Sequence, residues 1–378
     1  MTAAAPHRTS DRAVLWAVLA LSAVGVAAVF SAVAFLAETR GDGDPQAFLF
    51  KHLFRVGLAL GAMAAFSYLD YRRVARFSRP AMIIALGLLV LVQVLGAATN
   101  GAQRWLELGP IGFQPSDFAK AALIVHMAAL LARKQTYIED WSRGFVPLLV
   151  WAGPTILLIG MENLSTAAVL SATLGVMFFV GRVRLAHLGA VAAAGLVLAV
   201  GLLATSPARA DRVDAFLGTS FFSDDAAVHD RAAEGYQADQ ARIAFAMGGL
   251  TGVGPGKSVQ RDFLPAPYND FIFAIIAEEY GLVGAGVVLL VFMWILARGF
   301  LRVARGAPDP LGLFLAVGLT TAVVLYGFVN AGVACGLLPV TGLPMPFVSY
   351  GGTSLVITGA MVGLLLNVSR HSAPDADD

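Results

Sequence analysis

About ten apolar runs, each of a length suited to crossing a bilayer, constrain this chain more than any other feature. They cover 13 to 37, 53 to 69, 81 to 98, 117 to 132, 145 to 161, 165 to 181, 186 to 204, 271 to 297, 311 to 337 and 352 to 368. In hydrocarbon every backbone amide and carbonyl needs an internal partner, so such runs fold as helices. The expected fold is all-α and polytopic, a single transmembrane domain over residues 1–378. With 58% hydrophobic and 13% charged residues, the chain is neither an ordinary soluble domain nor a disordered one.

An even number of spans puts both termini on one side. Arginines choose that side: Arg72, Arg73, Arg76 and Arg79, then Arg133, Lys134 and Arg143, then Arg182 and Arg184, then Arg298, Arg302 and Arg305 fall on alternate short connections. The positive-inside rule makes these cytoplasmic, together with both termini, and sends the long polar segment 205–270, which precedes the eighth helix, to the outside. The basic start and the apolar run 13–37, longer than the roughly 7 to 15 residues of a cleaved signal, read as a signal anchor. The tail 371–378 reads as solvated and disordered. A net charge of +1 gives no reason to expect nucleic acid as a partner. The single cysteine, Cys335, reads as a small packed residue, and His52 and His229 lack metal-ligand spacing.

Four connections on the outer side have unusual composition: 38–52, 99–120, 205–270 and 338–351. Long loops with special backbone residues are where sites are usually built, so function is expected on that face. Lys51, Arg55, Arg104 and Lys120 lie there near membrane boundaries, either as binding groups or as snorkelling side chains. Asp270 follows Pro265 and Pro267 and is expected on the first turn of a membrane helix. From position alone it is a helix-terminal acid, favoured by the macrodipole by about 0.3 to 1 kcal/mol. Gly248 to Ser258 resembles a nucleotide loop only superficially, because Thr251 stands where the first glycine of a Walker A loop belongs. A tight glycine turn bringing the backbone close to a ligand or the membrane is the better reading.

The segment Leu338 to Ser354 has three prolines and three glycines and cannot be a regular helix. Such backbone at membrane depth must line a protein or water-filled cavity. Ser349, Tyr350, Thr353 and Ser354 would bring hydroxyls there, or the serines and threonine would cap the helix beginning near Gly352. Glu278 and Glu279, on a continuous helix with Asp270, would be rotated by about 80 and 180 degrees and displaced by more than about 12 Å. That argues against a glycosidase-like pair and for structural pairing of the glutamates.

Phe263-Leu264-Pro265, followed by Asp270-Phe271-Ile272-Phe273-Ala274-Ile275-Ile276 and Glu278-Glu279, resembles a signature of the SEDS family, the FtsW, RodA and SpoVE peptidoglycan polymerases. So does Gly342-Leu343-Pro344, continuing through Pro346-Phe347-Val348-Ser349-Tyr350-Gly351-Gly352-Thr353-Ser354. Gly101 to Trp105, Gln114 to Asp117 leading to Lys120, and Tyr236-Gln237 fit the same pattern, which runs nearly end to end and leans to the FtsW branch. The resemblance implies a glycosyltransferase that joins lipid II units on the extracytoplasmic face of the inner membrane, with inversion, in division or elongation. Asp270 matches the family's essential acid and would act as general base. Arg104, Lys120, Lys51 and Arg55 are the candidates to receive the leaving pyrophosphate, with Ser349 and Tyr350 as further substrate contacts. No resident cofactor or metal is implied, although a divalent cation able to bridge Asp270 and pyrophosphate is compatible.

A class B penicillin-binding protein and other division or elongation proteins are the implied partners. Where family members carry Pro-Asp-Leu-Gly-Thr, this chain reads Glu162-Asn163-Leu164-Ser165-Thr166, which leaves the role of that acid open. Two other classes fit a bundle with intramembrane charges: a lipid II transporter, and a non-enzymatic scaffold of the division complex. Special motifs gathered on one face favour the enzyme over the transporter.

Overall fold

The computed structural model describes residues 10–39, 45–95, 97–99, 102–108, 111–204, 207–217 and 228–372. Its helices are α1 Arg12–Thr39, α2 Pro45–Tyr68, α3 Tyr71–Arg76, α4 Ser78–Leu95, α5 Pro115–Lys134, α6 Val146–Glu162 and α7 Leu164–Val180. They continue with α8 Leu185–Ala204, α9 Pro207–Leu217, α10 Val228–Gly248, α11 Ile272–Arg298, α12 Pro310–Ala334 and α13 Thr353–His371. Among the described residues, 9 helical segments are long and apolar enough to cross a membrane, and α7, with 17 residues, is a shorter tenth. The chain is a multi-pass membrane protein of the all-α class.

Apolar hydration drives the helices into the bilayer, but lipid is as apolar as leucine, so packing between them depends on close approach. Along α2 and α13 glycine supplies it. A Cβ at Gly359 would fall 2.2 Å from the Ala59 carbonyl oxygen, and one at Gly363 would fall 2.4 Å from that of Met63. Helices α5 and α12 lie at the centre, whereas α8 is wholly peripheral.

The two ends of the bundle are chemically distinct. At one, the Asp11 amide donates to Ser369 Oγ at 2.9 Å and the Asp11 carboxylate accepts from Arg298 at 2.7 Å. Asp309 joins Arg72 at 2.7 Å and accepts from the Tyr71 hydroxyl at 2.8 Å at the same end. This arginine end therefore gathers the beginning of α1, the end of α13 and the α11–α12 turn. Asp270 lies at the opposite end, where α11 begins.

Several details depart from the sequence reading. Helix α2 starts at Pro45, because Lys51, His52 and Arg55 interrupt the apolar run without interrupting the helix. The connection after α4 folds as a small antiparallel sheet, β1 Ala97–Thr99, β2 Ala102–Leu108 and β3 Ile111–Phe113. Segment 205–270 contains α9 and α10, too polar to register as spans. Cys335 is exposed at the end of α12 rather than packed. Helix α13 runs through His371, and residues 373–378 lie outside the described residues.

The glycine turn after α10 packs its backbone against α11. Gly281, with φ 69°, breaks the regular path of α11 and frees its backbone for the turn. The amides of Val253 and Gly254 donate to the carbonyls of Glu278 and Glu279 at 2.9 and 3.0 Å, and the Leu282 amide donates to Gly249 at 2.9 Å. A Cβ at Gly252 would lie 2.1 Å from the Glu279 carbonyl oxygen, so no larger residue fits.

Candidate active site

Asp270 sits in a turn just ahead of α11, not in its first turn: helical bonding begins with the Phe271 carbonyl, which accepts from Ala274 at 2.9 Å. The acid is half-buried. Two irregular segments converge on it, the proline-bearing approach ending at Asp270 and the Leu338–Tyr350 stretch.

Side chains and amides bind these segments together. Asn330 of α12 donates from its amide nitrogen to the Asp270 carbonyl at 2.9 Å and to the Leu343 carbonyl at 2.8 Å. Ser349 Oγ donates to the Asn269 carbonyl at 2.7 Å and accepts from the Met345 amide at 2.7 Å. The Tyr350 amide donates to the Tyr268 carbonyl at 2.8 Å. Gly342, at φ 67°, faces the acid: a Cβ there would lie 3.7 Å from Asp270 Oδ2. Ser349 thus ties the two segments rather than capping α13. Thr353 Oγ1 accepts from the Gln114 amide at 3.3 Å, and Gly352 at the helix start has no side-chain cap.

An aromatic wall adjoins this junction. Phe48 stacks on Tyr350 with ring centroids 4.4 Å apart, Tyr268 meets Tyr350 edge-on at 5.5 Å, and the Arg55 guanidinium stands 4.5 Å from the Tyr350 ring centroid. Phe48, His52 and Arg55 share one face of α2, as their spacing requires. Burial pushes the Tyr350 hydroxyl above the usual tyrosine range, with Arg55 pulling the other way.

Lys120 occupies a different wall. Its ammonium is buried, 3.2 Å from Asp117 Oδ1 and 4.3 Å from the centroid of the Tyr326 ring. A charge inside the bundle needs such partners, and these hold Lys120 inward rather than snorkelling. With Ser349 and Tyr326 it lines a cavity of ≈ 20 Å³ beneath the 344–351 backbone, room for about one water.

The structure therefore gathers Asp270, Ser349, Tyr350 and Arg55 about one junction, with Lys120 reaching it only through the cavity it shares with Ser349. Lys51 is exposed on α2. Arg104 belongs to β2, and its side chain lies outside the described residues, as does that of His229. Among the described residues no group of 3 or more His, Cys, Asp or Glu is placed to hold a metal ion.

The buried Glu278, Glu279 and Glu162 make hydrogen bonds within the bundle. Glu278 accepts from the Ser258 hydroxyl, from the Val259 amide at 2.9 Å and from the Gln260 amide at 3.2 Å, fastening the loop to α11. Glu279 accepts from the Ser31 hydroxyl, and Arg261 donates to the Ser31 carbonyl at 3.0 Å. Glu162 accepts from Gln93 Nε2 at 3.2 Å, while Asn163 caps α7 by accepting from the Thr166 amide at 3.1 Å. Sequence reasoning passed over Asn330, Phe48 and Tyr268. Asn330 had a readable signal, a polar amide in the middle of the 311–337 apolar run.

Comparison with known proteins places this arrangement in context. The FtsW/RodA/SpoVE family model, described as cell cycle protein, matches residues 12–374. Stage V sporulation protein E of Bacillus subtilis is 39% identical over 358 residues, 94% of this chain and 95% of that protein. A probable peptidoglycan glycosyltransferase FtsW of Geobacter sulfurreducens is 36% identical over 365 residues, 96% of this chain and 95% of that protein. Among solved structures, a chain of a peptidoglycan synthase complex that coordinates polymerization and crosslinking superposes with TM-score 0.75 at 30% identity, covering 96% of this chain and 98% of that one. The rod shape determining protein RodA of Thermus thermophilus superposes with TM-score 0.70 at 28% identity, covering 97% and 98% respectively.

Proposed function

Because the chain belongs to the FtsW/RodA/SpoVE family and acts as a peptidoglycan glycosyltransferase, we propose that Asp270 is the general base of lipid II polymerisation. The observation that carries the reading is the junction itself: a half-buried carboxyl set between two irregular segments that side-chain hydrogen bonds hold together. A sugar hydroxyl of one lipid II attacks the anomeric carbon of the other glycan. Its proton passes to Asp270, a new C–O bond forms, and the bond to the lipid pyrophosphate breaks with inversion. Single displacement needs no second carboxylate, consistent with the engagement of Glu278 and Glu279 elsewhere.

The departing pyrophosphate needs positive charge in a site of low dielectric. Arg55, beside Tyr350 at the junction, supplies positive charge in this scheme, with Lys120 acting through the cavity it shares with Ser349. Arg104 and Lys51 are further candidate pyrophosphate contacts, and Ser349 and Tyr350 shape the sugar site. Residues 1–378 act as one domain in the inner membrane. Both termini are cytoplasmic and Asp270 faces outward, the sidedness that the arginine distribution supports. A class B penicillin-binding protein is the proposed partner, together with other division proteins in an FtsW-like role.

The test reconstitutes the purified chain with that partner and lipid II, with and without EDTA, and compares the wild type with Asp270→Asn. Glycan strands from the wild type and a loss of at least about 100-fold in the variant support the base assignment. Equal polymerisation by both proteins removes it. Movement of lipid II across the bilayer without polymerisation favours a transporter, and loss with EDTA assigns a divalent cation to the pyrophosphate.

A further inference from the structure

We propose that Asn330 is a positioning residue that aims the Asp270 carboxylate, an inference that rests on reading Asp270 as the base. Asn330 lies on α12 with only 1% of its surface exposed, and both donors of its amide are used on carbonyls of the two irregular segments, those of Asp270 and Leu343. Those segments cannot satisfy their own carbonyls as a helix would, so in a membrane bundle the donors must come from elsewhere.

The geometry goes further than satisfaction of polar groups. Ser349 holds the Asn269 carbonyl at 2.7 Å while Asn330 holds the Asp270 carbonyl at 2.9 Å. One carbonyl belongs to the peptide plane before the Asp270 Cα, and the other to the plane after it. Pinning both planes fixes φ and ψ of Asp270 and therefore the direction of its Cα–Cβ bond. Both donors of the Asn330 amide go to main-chain carbonyls. Asn330 acts through the main chain, and through Leu343 it sets the same peptide against the Gly342 turn that faces Asp270 Oδ2.

A role limited to stability and a role in aiming make different demands on kinetics. The full chain, reconstituted with its penicillin-binding partner and lipid II, is compared as wild type, Asn330→Leu, Asn330→Asp, Asp270→Asn and the Asp270→Asn/Asn330→Leu double variant. Asn330→Asp keeps the shape of the side chain and removes the amide donors. Aiming predicts that kcat per folded molecule falls about 100-fold in both Asn330 variants, with KM within about twofold of wild type. The double variant should be no slower than Asp270→Asn, because a misdirected base and a missing base are the same defect.

Wild-type kcat in the Asn330 variants, alongside an inactive Asp270→Asn, overturns the role of Asn330 and leaves the base assignment standing. A fully active Asp270→Asn removes the base assignment and this inference with it. Failure of both Asn330 variants to fold, or a loss of activity that only follows the folded fraction, makes Asn330 a stability residue and overturns the proposal.

Discussion

The arginine end and the Asp270 junction show two uses of hydrogen bonds around an aspartate. At the arginine end the fold grips carboxylates: Asp309 takes Arg72, the Tyr71 hydroxyl and the Gly312 amide, and Asp11 takes Arg298 and the amides of Ala13 and Val14. At the junction two bonds grip the main chain around Asp270, through Asn330 on the Asp270 carbonyl and Ser349 on that of Asn269. A carboxylate held by several donors is a strut that ties separate helices and turns together. A main chain held on both sides of a residue directs a side chain to a fixed place, which the proposed role of Asp270 as a base requires.

Substitutions at each end should separate these roles. The largest stability effect is expected from Asp11→Ala, which removes the carboxylate shared by Arg298 and Arg302 together with a helix cap. After allowance for the partial exposure of both arginines, the loss is about 2 to 3 kcal/mol, read as a lowered unfolding midpoint with turnover per folded molecule unchanged. Gly342→Val should do the reverse. A branched side chain at φ 67° strains the turn facing Asp270, and turnover should fall by about 10- to 100-fold, with the unfolding midpoint falling less than in Asp11→Ala.

Ser349→Ala comes next, removing the bond to the Asn269 carbonyl and the one from the Met345 amide. About 1 to 2 kcal/mol of local stabilisation should be lost, seen as faster amide exchange in Met345–Tyr350 and a reduced kcat.

The smallest effect is expected at Asp309 and carries a pH signature. Burial works against its charge, yet the Gly312 amide, Tyr71 and Arg72 outweigh burial and hold the carboxyl below the usual aspartate range. A depressed folded value contributes stability above the unfolded pKa of about 3.9 and loses it as pH falls through the folded value. Asp309→Asn should therefore cost about 1 kcal/mol or less at pH 7, a difference that shrinks in unfolding scans taken below about pH 4. A constant difference across that range would place the effect in packing instead.

How much of this was legible in the sequence depends on the distance over which each feature is encoded. Hydropathy reads helices of about 20 residues well, so the apolar runs coincide with helices, with only their ends displaced. Helix α2 began earlier than expected because Lys51, His52 and Arg55 dilute the apolar signal without disturbing helical geometry. The short strands around Arg104 were hidden, since β2 has only 7 residues in which alternation can register. Asp270 was legible from the motif around it, but its place ahead of the helix was not, because one turn decides it. Arg55 over Tyr350 and Asn330 on Asp270 are tertiary facts. A polar residue in an apolar run announces that it needs a partner, without saying which.

The most direct test of the account measures two quantities on one variant, Asp270→Asn: turnover of lipid II at saturation and the unfolding midpoint. The account predicts a fall of about 100-fold or more in kcat, with a midpoint within about 1 °C of wild type, the shift that roughly 1 kcal/mol causes in a chain of this size. Retained turnover, or a loss matched by an equal loss of folded protein, would contradict it.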